Sequence, residues 1–239
     1  HARLLPQERD ALAQNIDHRC LERIPTAYLV KEAWLSGYRF RVDPQVLIPR
    51  SPISELLETQ LQPWLDSPDQ VYRVADICTG SGCLAILAAL SFGDALVDAT
   101  DISDAALQVA RANVADYGLN DRITLHQGHL LDALPEDETY DLIICNPPHV
   151  NARSMGELPA EFEHEPSLAL AGGIDGMDLV RELLSDVAHR LTPDGLLLLE
   201  IGHEAAHFEA AFPDLDPLWL DTIATQHNLL LLRASQLSS

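Results

Sequence analysis

Beyond residue 70, short apolar runs alternate with longer segments whose apolar residues recur at helical spacing. The runs predict strands at residues 71–77, 95–101, 122–127, 140–146, 195–201, 218–223 and 228–233, and the amphipathic segments predict helices at 83–92, 104–117, 176–191 and 203–212. This alternation predicts a doubly wound, mostly parallel seven-stranded sheet of the α/β class, which binds ligands at the carboxyl ends of its strands. The last two runs are too close for a crossover helix, so they predict an antiparallel hairpin at the sheet edge.

The chain before residue 70 lacks this alternation and predicts two smaller units. Residues 1–34 have apolar side chains at roughly helical spacing as far as Pro25, which predicts a small N-terminal helical domain. Residues 35–68 are expected to form a hairpin and a linker helix. The remaining residues, 69–239, are expected to form the main domain.

The hairpin prediction rests on alternating apolar residues on either side of an Asp-Pro pair. Residues 38–42 alternate before the pair at 43–44, and 46–48 resume the apolar pattern, so these two segments are expected to pair as antiparallel strands. A proline at position 52 is typical of a first helical turn, and prolines between 63 and 68 predict a linker.

Composition and charge favour an acidic globular protein without membrane segments. Lys and Arg number 15 against 37 Asp and Glu, which gives a net charge of −22 and argues against a nucleic-acid-binding surface. The four cysteines, Cys20, Cys78, Cys83 and Cys145, form no CxxC pair, so a reduced cytoplasmic location is expected. No apolar run approaches the roughly 18 residues that span a bilayer.

The segment "VADICTGSGCLAI" places Asp76, Gly80 and Gly82 at the first strand-to-helix turn of the main domain. Glycines at such a turn let the backbone approach a ligand closely, but the Lys-Ser/Thr of a phosphate-binding loop is absent. The turn therefore suits a nucleoside. Asp101 ends the second strand about 20 residues later, where a carboxylate accepts hydrogen bonds from ribose hydroxyls. The alternative role for Asp101 is a helix cap, for which Ser103 is better placed.

The segment "DLIICNPPHV" ends a buried strand in Asn146, Pro147 and Pro148. The two prolines fix φ and remove two backbone donors, so the turn is stiff and rich in acceptors. The Asn146 side-chain oxygen and the Pro147 carbonyl suit an NH2 group held through both hydrogens, which aims its nitrogen at an electrophile. The alternative is a strand-terminating turn without chemistry.

These residues resemble the class I S-adenosylmethionine-dependent methyltransferases of the Asn-Pro-Pro-aromatic type, and among them the protein-glutamine methyltransferases. The similarity runs from about Ile24 to Leu237, through "RIPTAYLVKEAW", "FRVDPQVLIPRSPISELL", "DICTGSGCLAI", "NPPHV" and "LPAEFEHEPSLALAGGIDGMDLVR". The release-factor branch usually has Arg-Pro-Glu-Thr where this chain has Arg-Ser-Pro-Ile at 50–53. That tetrad and "HEPSLAL" favour the branch that modifies ribosomal proteins.

The resemblance implies methyl transfer from S-adenosylmethionine, with S-adenosylhomocysteine as product, to a glutamine amide nitrogen without metal. It implies that the N-terminal helical domain recognises the substrate, a basic protein of the large ribosomal subunit, which an acidic enzyme attracts. It assigns the cofactor to Asp76, Cys78, Thr79, Gly80, Ser81, Gly82, Asp101, His129, Leu130 and Asn146. It assigns catalysis to Asn146, Pro147, Pro148 and His149. Neither a membrane nor a nucleic acid is expected as a partner.

Three positions depart from the family pattern. His149 replaces the usual Tyr or Phe after Asn-Pro-Pro, and His129 stands where an Asp usually accepts a hydrogen bond from adenine. The segment "ATQHNLLLL" replaces a glycine-rich turn before the last strand, so the edge hairpin is expected to differ in shape. If both histidines are exposed, they become charged below roughly pH 6, and cofactor affinity is expected to weaken there.

Three other functions compete with this interpretation. His203, Glu204 and His207 form an H-E-x-x-H pattern, which in other proteins binds zinc, but no convincing third ligand follows, and a polar first helical turn is the favoured explanation. The departures at His129 and His149 also allow a module that binds the cofactor or the ribosomal protein without methylating. A third possibility is methylation of an amino group in nucleic acid, which the acidic charge disfavours.

For Arg50 and four histidines the pattern leaves the role open. Arg50 is a candidate for contact with the carboxylate of the cofactor or with the substrate backbone, and equally for a surface salt bridge. His126, His164, His189 and His227 show no partner pattern and are expected to be solvated or to lie at helix ends.

Overall fold

The computed structural model describes residues 3–65 and 67–237, so residue 66 of the predicted linker and the two residues at each terminus lie outside the described part. Its strands are β1 Glu32–Leu35, β2 Tyr38–Arg41, β3 Arg73–Ile77, β4 Leu96–Asp101, β5 Ile123–Gln127, β6 Tyr140–Cys145, β7 Leu191–Glu200, β8 Leu218–Leu220 and β9 Leu229–Arg233. Its α-helices are α1 Pro6–Leu21, α2 Thr26–Val30, α3 Ile53–Glu58, α4 Cys83–Ser91, α5 Asp104–Asp116, α6 Ala152–Met155, α7 Asp178–Asp186, α8 Ala205–Ala211 and α9 Ala234–Leu237.

The main sheet has seven strands in the order β5-β4-β3-β6-β7-β9-β8. Strands β3 to β7 pair in parallel, and β9 runs antiparallel to both β7 and β8. The predicted doubly wound sheet and its antiparallel edge hairpin are thus confirmed. The chain first builds outward from β3 through β4 to β5 and then returns to add β6 on the other side of β3. This reversal opens a crevice at the carboxyl ends of β3 and β6, where such sheets bind ligands.

Both faces of the sheet are buried, which explains why its central strands are continuous apolar runs in the sequence. Alternate residues of neighbouring strands point to opposite faces. Val74, Ile144 and Leu198 belong to one core cluster, together with residues of α3 and α4. Ala75, Ile143 and Leu197 belong to the other, together with residues of α7 and α8.

The hairpin that precedes the main sheet lies elsewhere in the sequence than predicted. Strand β2 pairs with β1, not with residues 46–48. Ser36 and Gly37, at φ of 51° and 78°, make the two-residue turn, because two successive residues with positive φ match the twist of a hairpin. Val46 is instead buried against Tyr28, whose hydroxyl donates a hydrogen bond to the Val46 carbonyl at 2.7 Å.

The N-terminal segment is helical, as predicted, but its helices have different bounds. Helix α1 ends at Leu21 rather than at Pro25, and α2 begins directly after this proline, which fits a residue that is favoured at helix starts. None of the α1 side chains is buried. Among the residues that the structure describes, no helix has the length and apolar composition that crossing a membrane requires.

Two predicted elements of the main domain end early. The helix expected at 176–191 is α7 followed by a 3-10 turn, Val187–Arg190, and the chain enters β7 at Leu191. The strand expected at 218–223 ends at Leu220, because a turn closed by the Thr222 N–H to the Thr225 carbonyl follows it.

A buried polar network joins β3, β4, β5 and β6. Asp98, 6% exposed, accepts hydrogen bonds from Arg73 Nη2 at 3.0 Å and from the Tyr140 hydroxyl at 3.1 Å. His126 Nε2 lies 2.7 Å from the other carboxylate oxygen of Asp98. The expectation that His126 is solvated or terminal in a helix is therefore wrong, because strand pairing brings it beside a buried carboxylate.

Candidate active site

The turn between β3 and α4 is shaped by residues in the left-handed region of backbone space. Cys78, Gly80 and Gly82 have φ of 61°, 56° and 78°. Packing at Gly82 is also tight, since a Cβ there would lie 3.1 Å from the Cβ of Ala110 on α5. The second glycine of the motif therefore lets α5 pack close to the turn, while the first shapes the loop at the strand ends.

Asp76 lies behind this turn. One carboxylate oxygen accepts hydrogen bonds from the Thr79 hydroxyl at 2.6 Å and from the Ala85 N–H at 3.0 Å, and the other has no partner among the described residues. Asp76 thus fixes the fold of the turn from below. Burial raises its pKa to about 7.

Asp101 ends β4 and points its carboxylate at the turn. One oxygen accepts from the Gly80 N–H and the other from the Ser103 N–H, both at 2.9 Å. The N-cap of α5 is Ser103, whose hydroxyl accepts from the Ala106 N–H at 3.2 Å, so Asp101 is not needed as the cap. Burial raises the pKa of Asp101. The carboxylate keeps acceptor capacity for a ligand hydroxyl.

A cavity of about 310 Å³ opens at the carboxyl ends of β3, β4 and β6. Nine predicted site residues line it: Cys78, Thr79, Gly80, Ser81, Asp101, His129, Leu130, Asn146 and Pro148. Asp76, Gly82, Pro147 and His149 are outside the lining. The Thr100 hydroxyl is buried and has no hydrogen-bond partner among the described residues.

The Asn-Pro-Pro turn follows β6 directly and reaches the cavity through Asn146 and Pro148. His149 folds back on the turn, so that its Nδ1 lies 2.8 Å from the Pro147 carbonyl oxygen. A carbonyl oxygen has two lone pairs, so Pro147 can accept a further hydrogen bond while contacting His149. The two acceptors proposed to hold an NH2 group are thus carried by adjacent residues of one rigid turn.

The two histidines of the expected pH response have different environments. Burial lowers the pKa of His149, which is partly buried and whose ring packs against Gly202, so the expectation that this histidine is exposed is wrong. His129 is exposed and its Nε2 lies 2.6 Å from a carboxylate oxygen of Glu182. The prediction that cofactor affinity weakens at low pH therefore loses the contribution expected from an exposed His149.

Sequence reasoning missed the opposite wall of the cavity. Residues 45–51 and 166–169 contribute to the lining, and Arg50 joins the two segments. Its Nη1 lies 2.8 and 2.9 Å from the two carboxylate oxygens of buried Glu165 and its guanidinium lies over the Phe162 ring. Arg50 therefore forms an ion pair at the cavity edge. The sequence signal for this wall was the "HEPSLAL" segment. It contributed to the family resemblance, but its pattern did not show that Glu165 contacts Arg50.

The H-E-x-x-H pattern has an arrangement unlike a metal site. Glu204 is buried and contacts both His207 and Asn151, while His203 is exposed. In the part of the chain described here, no group of three or more His, Cys, Asp or Glu side chains converges in a way that could hold a metal ion. Zinc hydrolysis has no further support from the geometry.

Two carboxyl groups near the site, buried Asp76 and partly buried Glu200, make folding stability depend on pH. Burial raises the pKa of Asp76 from 3.8 and that of Glu200, which accepts a hydrogen bond from Ser51, from 4.5, each to about 7. An acid whose pKa is raised by folding favours the folded state below its unfolded pKa and loses this contribution as pH rises through the folded value. We expect the Tm to fall between about pH 4 and about pH 7.

A substitution at Glu200 distinguishes its contribution to the pH dependence of stability from the contributions of other titrating groups. In Glu200→Gln the decrease in Tm over this pH window, measured by calorimetry, is expected to be smaller than in the wild type, because Gln does not ionise. Glu209→Gln, an exposed residue of α8, is the matched control and is expected to keep the wild-type slope. Equal slopes in all three proteins would contradict the role of Glu200.

Comparison with known proteins decides the family. Residues 54–163 match the family model described as the methyltransferase small domain. The chain is 60% identical over 238 residues to the ribosomal protein uL3 glutamine methyltransferase of Bordetella pertussis, covering 100% of this chain and 80% of that protein. The chain belongs to the uL3 glutamine methyltransferase family. The protein of that name from Burkholderia pseudomallei is 52% identical over 99% of this chain and 79% of its own length.

Solved structures support the fold at lower identity. A methyltransferase from Pyrococcus furiosus is 16% identical and superimposes with a TM-score of 0.60, covering 96% of this chain and 99% of that one. Human methyltransferase 10 domain containing protein is 20% identical, with a TM-score of 0.56 over 97% of this chain and 99% of its own. These structures confirm the predicted methyltransferase fold, and the uL3 glutamine methyltransferases confirm the resemblance to protein-glutamine methyltransferases.

Proposed function

We propose that this protein methylates the side-chain amide nitrogen of a glutamine in ribosomal protein uL3, with S-adenosylmethionine as the methyl donor. The observation that carries the proposal is the position of the Asn146-Pro147-Pro148 turn. It follows β6 at the rim of a cavity that β3 and β4 close from the other side. Relatives at 52% and 60% identity bear the name of this activity.

The cavity fits a nucleoside cofactor. Asp101 lines the cavity and presents a carboxylate that can accept hydrogen bonds from ribose hydroxyls. Among the described residues, the lining has no lysine and no phosphate-binding loop, and its arginine, Arg50, is paired with Glu165, which suits a ligand without phosphates. When bound, the cofactor would supply an electrophile, the methyl carbon that is attached to its sulfonium sulfur.

The turn then positions the nucleophile. The Asn146 side-chain oxygen and the Pro147 carbonyl accept the two hydrogens of the substrate amide. Because both acceptors belong to a proline-stiffened turn, the nitrogen is held in one orientation, with its lone pair aimed into the cavity. Hydrogen bonds to both N–H groups also increase electron density on a nitrogen whose lone pair is otherwise delocalised. Catalysis on this view is orientation and polarisation without a metal.

Charge and surface around the rim fit a basic protein substrate. The chain has a net charge of −22, which attracts a cationic ribosomal protein before contact. At the rim, Leu168 is 59% exposed and lines the cavity, so it offers apolar contact to the residues that flank the target glutamine. Such a substrate places the reaction in the cytoplasm, where ribosomal proteins are made.

The test is incubation of purified uL3 with this protein and isotopically labelled S-adenosylmethionine, followed by mass spectrometry of peptides. We expect the mass of one methyl substitution on a single glutamine of uL3 and none on a peptide release factor treated in parallel. Methylation of the release factor alone would assign the chain to the sister activity. Cofactor binding without methylation of either protein would leave a binding module and overturn the proposal.

A further inference from the structure

Glu204 is a buried carboxylate next to the Asn-Pro-Pro turn, outside the cavity lining, and the proposed reaction gives it no role. It is 7% exposed and begins α8. One oxygen accepts a hydrogen bond from Asn151 Nδ2 at 2.6 Å, and the other lies 2.5 Å from His207 Nδ1. Burying a carboxylate costs free energy unless it is hydrogen-bonded or paired, so these two contacts stabilise Glu204 in its buried position.

Asn151 connects Glu204 to the turn. It lies five residues after Asn146, and its side-chain oxygen accepts the Ser154 N–H at 2.9 Å as the N-cap of α6. Its amide nitrogen is directed to Glu204, so both ends of the side chain are engaged. Val150, between Asn151 and the turn, exchanges backbone hydrogen bonds of 2.8 and 2.9 Å with Leu170 and Gly172.

His149 is enclosed by two glycines of neighbouring loops. A Cβ at Gly202 would lie 2.6 Å from His149 Nε2, and a Cβ at Gly176 would lie 2.3 Å from the His149 carbonyl oxygen and 3.2 Å from Cγ of Glu204. The ring and backbone of His149 therefore have little room to move. Segment 149–151 is clamped between α8 and the 170–176 loop, and Glu204 is the buried charge within this clamp.

Some groups around His149 raise the pKa of its imidazole, and others lower it. Burial lowers the pKa of His149 most, whereas the Pro147 carbonyl and the Glu204 carboxylate raise it. Arg50 and His203 lower it. A protonated imidazole beside a sulfonium donor would repel it, so the charge state of this residue matters to methyl transfer.

We infer that Glu204 is a positioning residue for methyl transfer: it holds the Asn-Pro-Pro turn in place through Asn151 and sets the electrostatic environment of His149. The inference deepens the proposed function and rests on it. The H-E-x-x-H pattern thereby acquires a role that involves no metal.

Paired substitutions test the hydrogen bond itself. Asn151→Asp keeps an N-cap for α6 but places a carboxylate against Glu204, and we expect kcat for uL3 methylation to fall between about tenfold and a hundredfold. Adding Glu204→Gln gives the new carboxylate an amide donor, so the double variant is expected to recover most of the lost kcat. KM for uL3 and cofactor affinity by calorimetry are expected to change far less than kcat.

The proposed electrostatic effect of Glu204 on His149 can be measured independently of methyltransferase activity. In protein labelled at histidine, the NMR titration midpoint of His149 is expected to move to lower pH in Glu204→Gln than in the wild type. The acid limb of the kcat profile should move in the same direction. Glu209→Gln removes an exposed charge from the same helix and is expected to change neither.

Two results would overturn the inference: an unshifted His149 midpoint in Glu204→Gln, or a double variant as slow as Asn151→Asp alone. Circular dichroism and Tm establish that each variant is folded. Failure of the wild type to methylate uL3 refutes the proposed function and with it the methyl-transfer role of Glu204. The NMR result would still show whether Glu204 acts on His149.

Discussion

Replacing Asn146 by alanine is expected to lower kcat for glutamine methylation by about 10² to 10³, because one of the two acceptors that orient the amide is lost. This is the range measured when a single preorganised hydrogen-bonding group is removed from an active site. Asn146 lines the cavity and ends the strand whose turn carries the Pro147 carbonyl. Steady-state kinetics with purified uL3 measure the effect.

Asp101→Ala is the matched comparison, because both residues line the cavity at strand ends and only Asp101 is assigned to ribose. Calorimetry is expected to show a larger loss of cofactor affinity in Asp101→Ala than in Asn146→Ala. Near-normal turnover in Asn146→Ala would remove the turn from the mechanism. The reverse order of affinities would exchange the roles of the two residues.

Asp98→Ala is expected to destabilise the protein by about 3 kcal/mol, since it breaks a buried ion pair and leaves Arg73 with less compensation. Arg73 keeps a second carboxylate, Glu138, at 3.1 Å from Nε, which places the expected effect at the lower end of the range for such pairs. The Tyr140 hydroxyl and His126 also lose an acceptor. For a chain of this length the corresponding decrease in Tm is roughly 6–12 °C.

Asp94→Ala is the control for this prediction. Asp94 is exposed and precedes the same strand, so its removal is expected to change stability by less than about 0.5 kcal/mol. Urea titration measures both variants, and the m-value shows whether unfolding remains two-state. Equal stabilities of the two variants would mean that the network around Asp98 contributes nothing net.

The hairpin shows where the sequence pattern misled. The Asp-Pro pair at 43–44 does turn the chain, since the Val46 N–H donates to the Asp43 carbonyl at 3.1 Å, but the turn that joins the paired strands is at Ser36 and Gly37. Alternation in residues 38–42 predicted β2 correctly, but nothing local showed that its partner precedes it. Burial of Val46 under Tyr28 decides the matter, and that contact depends on α2 and α5 being in place.

The location of the cavity could be predicted from the sequence more easily than the residues that form its opposite wall. Residues that follow β3, β4, β5 and β6 were expected to meet, because the carboxyl ends of parallel strands share one edge of a sheet. Residues 45–51 and 165–169 approach from outside that sheet, and their ion pair joins positions 115 residues apart. No periodicity within either segment encodes this contact.

The sequence by itself determined the sheet, its antiparallel edge and the strand ends that carry the turn residues, because periodicity and turn chemistry act over a few neighbouring residues. Only the tertiary structure decided the surroundings of His149 and the direction in which they shift its pKa, the partners of His126 and Arg50, and the contacts of Glu204. These depend on burial and on hydrogen-bond partners from distant segments, such as Asn151 and Glu204, which are 53 residues apart. Desolvation and pairing of that kind exist only once the chain is packed.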